Sequence, residues 1–284
     1  MELVRLEDEE IGVELLPDVG ARLHRLRAFG HDLLRTPDDP AIHRSDPFFW
    51  GAYVLAPWGN RLDAGRRTVA GRQLDLPANF PDGSAIHGQV YDRPWQRDGT
   101  RFAVHAGTDG WPWAYEVTAV ATVGRRSLTL AYELVNSSDT PMPAGLGLHP
   151  WWRQPVEVRI PARAVYPATT DSQPTPEPVS GRFDQQRLRP MAPGLDAAWT
   201  DLDEPVVELR WPDTGIGLTM RASGAAVHVV AASPPELDAV AVELQTHAPQ
   251  GLRRLERSEP GALALLEPDG RLSLTIELAV TAGS

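Results

Sequence analysis

The chain has 284 residues, 42% of them hydrophobic and 23% charged, so it can bury a sizeable core and does not read as a disordered segment. All 27 basic residues are Arg and Cys is absent, which removes Schiff-base chemistry, a P-loop lysine, thiolate nucleophiles, disulfides and Cys-ligated zinc. A formal net charge of -11 opposes binding to nucleic acid or to an anionic membrane surface and points to a small neutral or weakly charged ligand.

Met1 to Glu10 lacks the basic start and apolar stretch of a signal peptide, and no later run approaches a membrane span, so a cytoplasmic location is the default expectation. The 24 Gly and 27 Pro are spread along the chain and favour short strands joined by turns over long helices. Ser127 to Val135 alternates with period two, placing Leu128, Leu130, Tyr132 and Leu134 on one face. Between Tyr166 and Pro193, Pro167, Pro174, Pro176, Pro178, Pro190 and Pro193 stand among few apolar residues, which predicts a surface excursion. Val206 to Trp211 and Ile216 to Arg221 are shorter alternating strands, and Pro249 to Leu255 is a short helical turn. Glu267-Pro268-Asp269-Gly270 reads as a hairpin turn before a last strand, Arg271 to Val280, whose Leu272, Leu274, Ile276 and Leu278 share a face. The expectation is an all-β fold of two packed antiparallel sheets in one domain, residues 1–284, without internal repeats.

Four polar clusters stand out in this framework. Leu55-Ala-Pro-Trp-Gly-Asn-Arg-Leu62 sets Asn60 and Arg61 after a turn, where a guanidinium fork matches vicinal hydroxyls. Ser84-Ala-Ile-His-Gly-Gln-Val90 carries His87 beside Gly88, which permits close backbone approach. Gly145-Leu-Gly-Leu-His-Pro-Trp-Trp152 carries His149 and an aromatic pair, Trp151 and Trp152, either a sugar platform or core. In Leu237 to Thr246, strand periodicity puts Val240, Val242 and Leu244 on one face and Ala239, Ala241, Glu243 and Gln245 on the other, the pattern of a groove floor. Taken singly, each cluster also fits a plain role: an ion-paired Arg61, a solvated His87, core tryptophans, a Glu243 that faces solvent or pairs with an Arg.

Proton transfer at a sugar hemiacetal unifies the four. Opening a pyranose needs a base at the anomeric hydroxyl and an acid at the ring oxygen, and Glu and His are suited to both once burial tunes them.

At these clusters the sequence resembles the aldose 1-epimerase, or galactose mutarotase, family. The resemblance runs from an N-terminal strand pair beginning at Val13 to Ala21, through Pro57-Trp-Gly-Asn-Arg61, Ile86-His-Gly88, Leu148-His-Pro150 and Leu195-Asp196, to Val242-Glu243. It implies a large twisted antiparallel β-sandwich, the galactose mutarotase-like supersandwich, with an open cleft and no cofactor or metal. By resemblance Glu243 is the base, His149 the acid and His87 its assistant, while Arg61 and Asp196 hold hydroxyls of a small-molecule sugar; Asn60, Trp151 and Gln245, from the same clusters, are the further expected sugar contacts. The family's Glu is commonly followed by Pro and Gln, whereas here Leu244 and Gln245 follow; the turn residue Glu267 is rejected as the base. The implied activity is anomer interconversion of a free aldohexose such as glucose or galactose, by a monomer or weak homodimer. A variant acting on hexose 6-phosphates would draw on Arg66, Arg67, Arg93 or Arg97, and a catalytically silent carbohydrate-binding protein of the same fold is the other alternative. His24, His31, His43, His105, His228 and His247 show no metal-ligand spacing and are expected to be solvated or core.

Overall fold

A computed structural model of the chain describes residues 1–168, 170 and 175–283; Pro174 of the proline-rich excursion lies outside them. Two large antiparallel sheets dominate. The first has eleven strands. From one edge it runs Val4–Glu7, Ile11–Leu16, Arg22–Ala28, Ala52–Leu55, Gly147–Arg153, Ala239–Gln245, His228–Ser233, Leu195–Leu202, Ala162–Tyr166 and Glu177–Pro178, with His31–Asp32 beside the third strand. The second has eight, in the order Gln96–Asp98, Arg101–Thr108, Trp111–Gly124, Ser127–Asn136, Arg271–Thr281, Gly217–Gly224, Val207–Arg210 and Glu157–Arg159.

The alternation read in the sequence is what joins these sheets. On Ser127–Asn136 every second residue from Leu128 is buried, and on Arg271–Thr281 Leu274, Ile276, Leu278 and Val280 are buried while their neighbours are not. They meet Val13, Leu26, Trp152, Trp199 and Val242 of the larger sheet in one hydrophobic cluster, so each sheet hides one face against the other. The larger sheet also covers part of its outer face. There Tyr53, Leu55, Tyr91, Trp151, Ala239 and Ala241 form a second cluster, and the site lies on this outer face.

Helix among the described residues is confined to Ile42–Ser45, Gly251–Arg257 and a 3-10 turn, Gly181–Phe183. Gly251–Arg257 lies two residues later than the predicted turn at 249–255, and Ile42–Ser45 is too short to leave a periodic signal. The described residues between 166 and 193 are mostly exposed, as expected, but Glu177–Pro178 adds an edge strand to the larger sheet. The turn at Glu267-Pro268-Asp269-Gly270 forms, closed by a Gly270 N–H to Glu267 O bond of 2.8 Å. It is not a hairpin: the preceding strand, Ala264–Leu266, pairs with Met142–Ala144, and the following strand joins the eight-stranded sheet. No helix of the described residues is long and apolar enough to cross a membrane.

Ile276 is fully buried between the sheets. Ile276→Ala should lower the unfolding free energy in urea by about 2–5 kcal/mol, and Ile276→Val by about 0.5–1.5 kcal/mol. Equal and negligible losses from both would show that this strand face is not core.

Candidate active site

Strand register assembles the site. His149 pairs directly with Tyr53 on the neighbouring strand, and the pairs Leu148–Leu244 and Trp151–Ala241 leave His149 opposite Glu243 on its other side. Glu243 in turn pairs with Val230. Because cross-strand partners project to the same face, Tyr53, His149, Glu243 and Val230 form a row across four strands. The His149 Nε2 lies 3.1 Å from Glu243 Oε1, and its ring stacks on Tyr53 at 4.6 Å and 20°.

Two turns bring polar groups over this row. His87 N–H donates to Asn60 O at 3.0 Å and Gln89 N–H to Ala56 O at 2.8 Å, locking the 56–61 turn against residues 87–89. Gly88 is required there: its φ is +77°, and a Cβ would sit 1.9 Å from Ala56 O. His87 itself adopts φ +64°, a conformation costing roughly 1–2 kcal/mol for a residue with a Cβ. The strain brings its ring edge-on to His149, 4.9 Å between centroids at 87°. Gly59 makes a second close approach, since a Cβ would fall 2.5 Å from Gln245 Oε1. Its N–H donates to His247 Nε2 at 2.9 Å, so His247 carries its proton on Nδ1 and donates to Ala248 O at 2.8 Å.

The resulting cleft has a volume of about 300 Å³, the size of a single small-ligand site. Phe48, Phe49, Tyr53, Phe80 and Trp151 form an aromatic wall, and Asn60, Arg61, Asp196 and Glu236 supply polar groups. Arg61 is held by Asp82 at 2.7 Å and reaches Asp196 at 3.7 Å.

The aldose 1-epimerase family model matches residues 2–277. The chain belongs to the aldose 1-epimerase family. Its fold is that of solved structures of low sequence identity. A galactose mutarotase-like protein from Clostridium acetobutylicum is 17% identical with a TM-score of 0.84, covering 99% of this chain and 95% of that one. An aldose epimerase homologue from C. elegans is 17% identical with a TM-score of 0.82, over 100% and 99%. A galactose 1-epimerase from Lactobacillus acidophilus NCFM is 17% identical with a TM-score of 0.79, over 99% and 95%. No curated protein matches the chain significantly.

In this aldose 1-epimerase family member, burial controls the protonation of the row. Glu243 is 3% exposed, and burial pushes its carboxyl up to about 8 despite the Gln245 amide that donates to Oε2 at 2.6 Å. Burial, aided by Arg22 and Arg61, takes His149 down to about 3, and burial with His149 and Arg61 nearby holds His87 well below its ordinary value. At neutral pH the 3.1 Å contact is therefore a hydrogen bond between neutral groups, the Glu243 carboxyl donating to His149 Nε2, and the pair holds one proton.

Of the eight site residues expected from the sequence, Glu243, His149, His87, Arg61, Asp196, Asn60 and Trp151 line this one cleft. Gln245 does not: it is fully buried and its contact is with Glu243, so it fixes the carboxyl rather than facing a ligand. Trp152, the neighbour of Trp151, points the other way into the main core. The arginines considered for a phosphate contact are elsewhere, Arg66 on Asp75, Arg67 on Asp63, Arg93 on Asp109 and Arg97 on Glu2. His24, His43, His228 and His247 are buried, while His31 and His105 are exposed. Among the described residues no group of three or more His, Asp and Glu is arranged to hold a metal ion.

Tyr53, Phe48, Phe80, Asp82 and His247 were not found from the sequence. Tyr53 lies in an apolar run that reads as core, and only its strand neighbours reveal its place. His247 had a signal: period two continues Glu243 and Gln245 to position 247.

A carboxyl whose pKa is raised on folding favours the folded state at low pH and loses that stability as pH rises from 4.5 towards about 8. Wild-type protein should therefore lose about 3 kcal/mol relative to Glu243→Gln between about pH 5 and pH 8, measured by urea unfolding. Parallel pH profiles for the two proteins would contradict a protonated, buried Glu243.

Proposed function

We propose that the chain interconverts the α and β anomers of a free aldohexose, such as glucose or galactose, by acid–base ring opening and reclosure. The observation that carries the proposal is the 3.1 Å contact between Glu243 and His149 in the wall of a cleft the size of a monosaccharide site. The anomeric oxygen and the ring oxygen of a pyranose are bonded to the same carbon. A base and an acid that serve them must be neighbours, as these two are.

The single proton of the pair supports a closed cycle. Moving it from Glu243 to His149 leaves a carboxylate base and an imidazolium acid. The carboxylate takes the proton of the anomeric hydroxyl, the imidazolium gives its proton to the ring oxygen, and the ring bond breaks as the carbonyl forms. Glu243 is then protonated and His149 neutral. Rotation about the bond from the aldehyde carbon to its neighbour turns the other carbonyl face to the ring hydroxyl. Closure reverses both transfers, so no proton is exchanged with solvent over a turnover. His87, edge-on to His149, lies beside the ring oxygen's acid, and Arg61, Asp196 and Asn60 offer donors and acceptors to hydroxyls. The aromatic wall accommodates the apolar face of a pyranose.

The rim favours a neutral sugar over a phosphorylated one. Arg61 is the only arginine lining the cleft among the described residues and is already engaged by Asp82 and Asp196, with Glu236 adding a further carboxylate. A silent sugar-binding protein would have no use for a buried, destabilising carboxyl at position 243.

Polarimetry tests this. Wild-type protein should speed the approach of pure α-glucose or α-galactose to its equilibrium rotation, and Glu243→Gln or His149→Ala should lower kcat by about 10²–10⁴-fold. No acceleration on any aldose by folded wild-type protein overturns the proposal. Because activity needs one proton on the pair, kcat/KM should fall on the alkaline side near pH 8, where Glu243 loses it. Glucose 6-phosphate should be a poorer substrate than glucose; the reverse would reinstate a phosphate-binding role for a residue outside the cleft lining.

A further inference from the structure

The row of side chains does not stop at Tyr53. The strand Arg22–Ala28 pairs with Ala52–Leu55 through Leu23 and Ala52, which leaves Arg22 opposite Tyr53. The Arg22 guanidinium carbon lies 4.7 Å from the Tyr53 ring centroid, and the same ring stacks on His149 at 4.6 Å. Arg22 is fully buried, yet among the described residues no carboxylate touches it, and Asp92 and Asp46 act on it only from a distance. Burial lowers its pKa to about 10, so it remains a cation at neutral pH. A buried guanidinium without a counterion is costly unless its donors are satisfied and its charge is spread.

The two terminal nitrogens meet the first condition, Nε being left without a hydrogen-bond partner, and the Tyr53 ring serves the second. The guanidinium donors go to Trp50 O at 3.0 Å, Pro47 O at 2.6 Å and Tyr91 O at 3.4 Å. A further N–H lies 3.3 Å from His43 Nδ1. A guanidinium can only donate, so His43 accepts on Nδ1 and carries its proton on Nε2, which donates to His24 Nδ1 at 2.9 Å. His24 is then protonated on Nε2, which faces Glu14 Oε2 at 3.9 Å. Both imidazoles are neutral, held low by burial, and His43 falls to about 2. Two imidazoles thus run as a one-way chain of donors from the buried cation towards a partly buried carboxylate, the last gap being longer than a hydrogen bond.

We infer that Arg22 is a positioning residue for His149: anchored by three carbonyls and the His43–His24 chain, it fixes the Tyr53 ring against which the imidazole is stacked. This rests on the reading of His149 as the acid. The groups that face His149 are Glu243, His87, Tyr53, Trp151 and, from further off, Arg61 and Arg22. Of these, Tyr53 is the one stacked face to face on the imidazole; its hydroxyl donates to Phe48 O at 3.1 Å, and the buried Arg22 guanidinium lies over the same ring.

Arg22→Met keeps the length and bulk of the side chain and removes its charge and fork of donors. It should lower kcat for anomer interconversion about 10- to 100-fold with KM little changed, because a displaced acid slows the chemical step more than it weakens sugar binding. In a Tyr53→Leu background the further loss from Arg22→Met should vanish, since the route through the ring is already cut. Equal losses in both backgrounds, or wild-type kcat in Arg22→Met, overturn the inference. If Arg22→Met does not fold, His43→Gln leaves the guanidinium in place while removing the imidazole that orients it; a smaller fall in kcat is expected, and an unchanged kcat overturns the inference. The side-chain NMR signals of His149 separate this from the activity itself. Inactive wild-type protein whose His149 signals move on Arg22→Met defeats the epimerase reading alone, whereas signals that stay in place defeat the positioning role.

Discussion

A carboxyl and an imidazole buried in contact share one proton, and that constraint governs the rest of the molecule. Neither Glu243 nor His149 is solvated enough to hold a charge on its own at neutral pH, so the pair is neutral at rest and charge-separated only when the proton moves between them. Such a pair works only if the two atoms stay within a hydrogen bond of each other. Adjacent strands of a large sheet provide this, because their spacing is fixed by backbone hydrogen bonds that no side-chain motion disturbs.

The surrounding parts follow from keeping that contact dry and oriented. Gln245 donates to the carboxyl from two residues along the same strand, and the glycine at position 59 lets the backbone close over that amide. His247 ties the turn to the end of the strand. Tyr53 supports the imidazole from the other side. His87 reaches the site only because Gly88 allows its turn to press against Ala56, and the left-handed backbone of His87 is the local cost. The stability lost by burying an ionisable group is thus spread over close-packed backbone and aromatic contacts, which also form the walls of the cleft.

The two-residue period was legible wherever a strand has one face in the core and one outside, as in Ser127–Asn136 and Arg271–Thr281. The same period placed Glu243 and Gln245 together, though it could not say that both are fully enclosed. Tyr53 was illegible because Ala52–Leu55 is buried on both faces, which erases the alternation. The Glu267 turn was legible but its partners were not, since that pairing depends on residues at least 120 positions away. Arg22, His24 and His43 gave no signal at all, because their significance lies only in their mutual distances.

The sequence by itself determined the chemistry open to this protein. Without Lys or Cys, only His, carboxylates, hydroxyls and Arg remain for catalysis, and strand periodicity together with the ordered short motifs pointed to an all-β member of one family. Tertiary structure alone decided which of those groups share a proton. Register between strands more than 90 residues apart brings position 149 opposite 243 and 53 opposite 149, and burial then protonates a carboxyl that would be ionised in water and keeps the imidazole beside it neutral. Neither effect is encoded in any local stretch: register is a property of two strands together, and desolvation a property of everything packed around them.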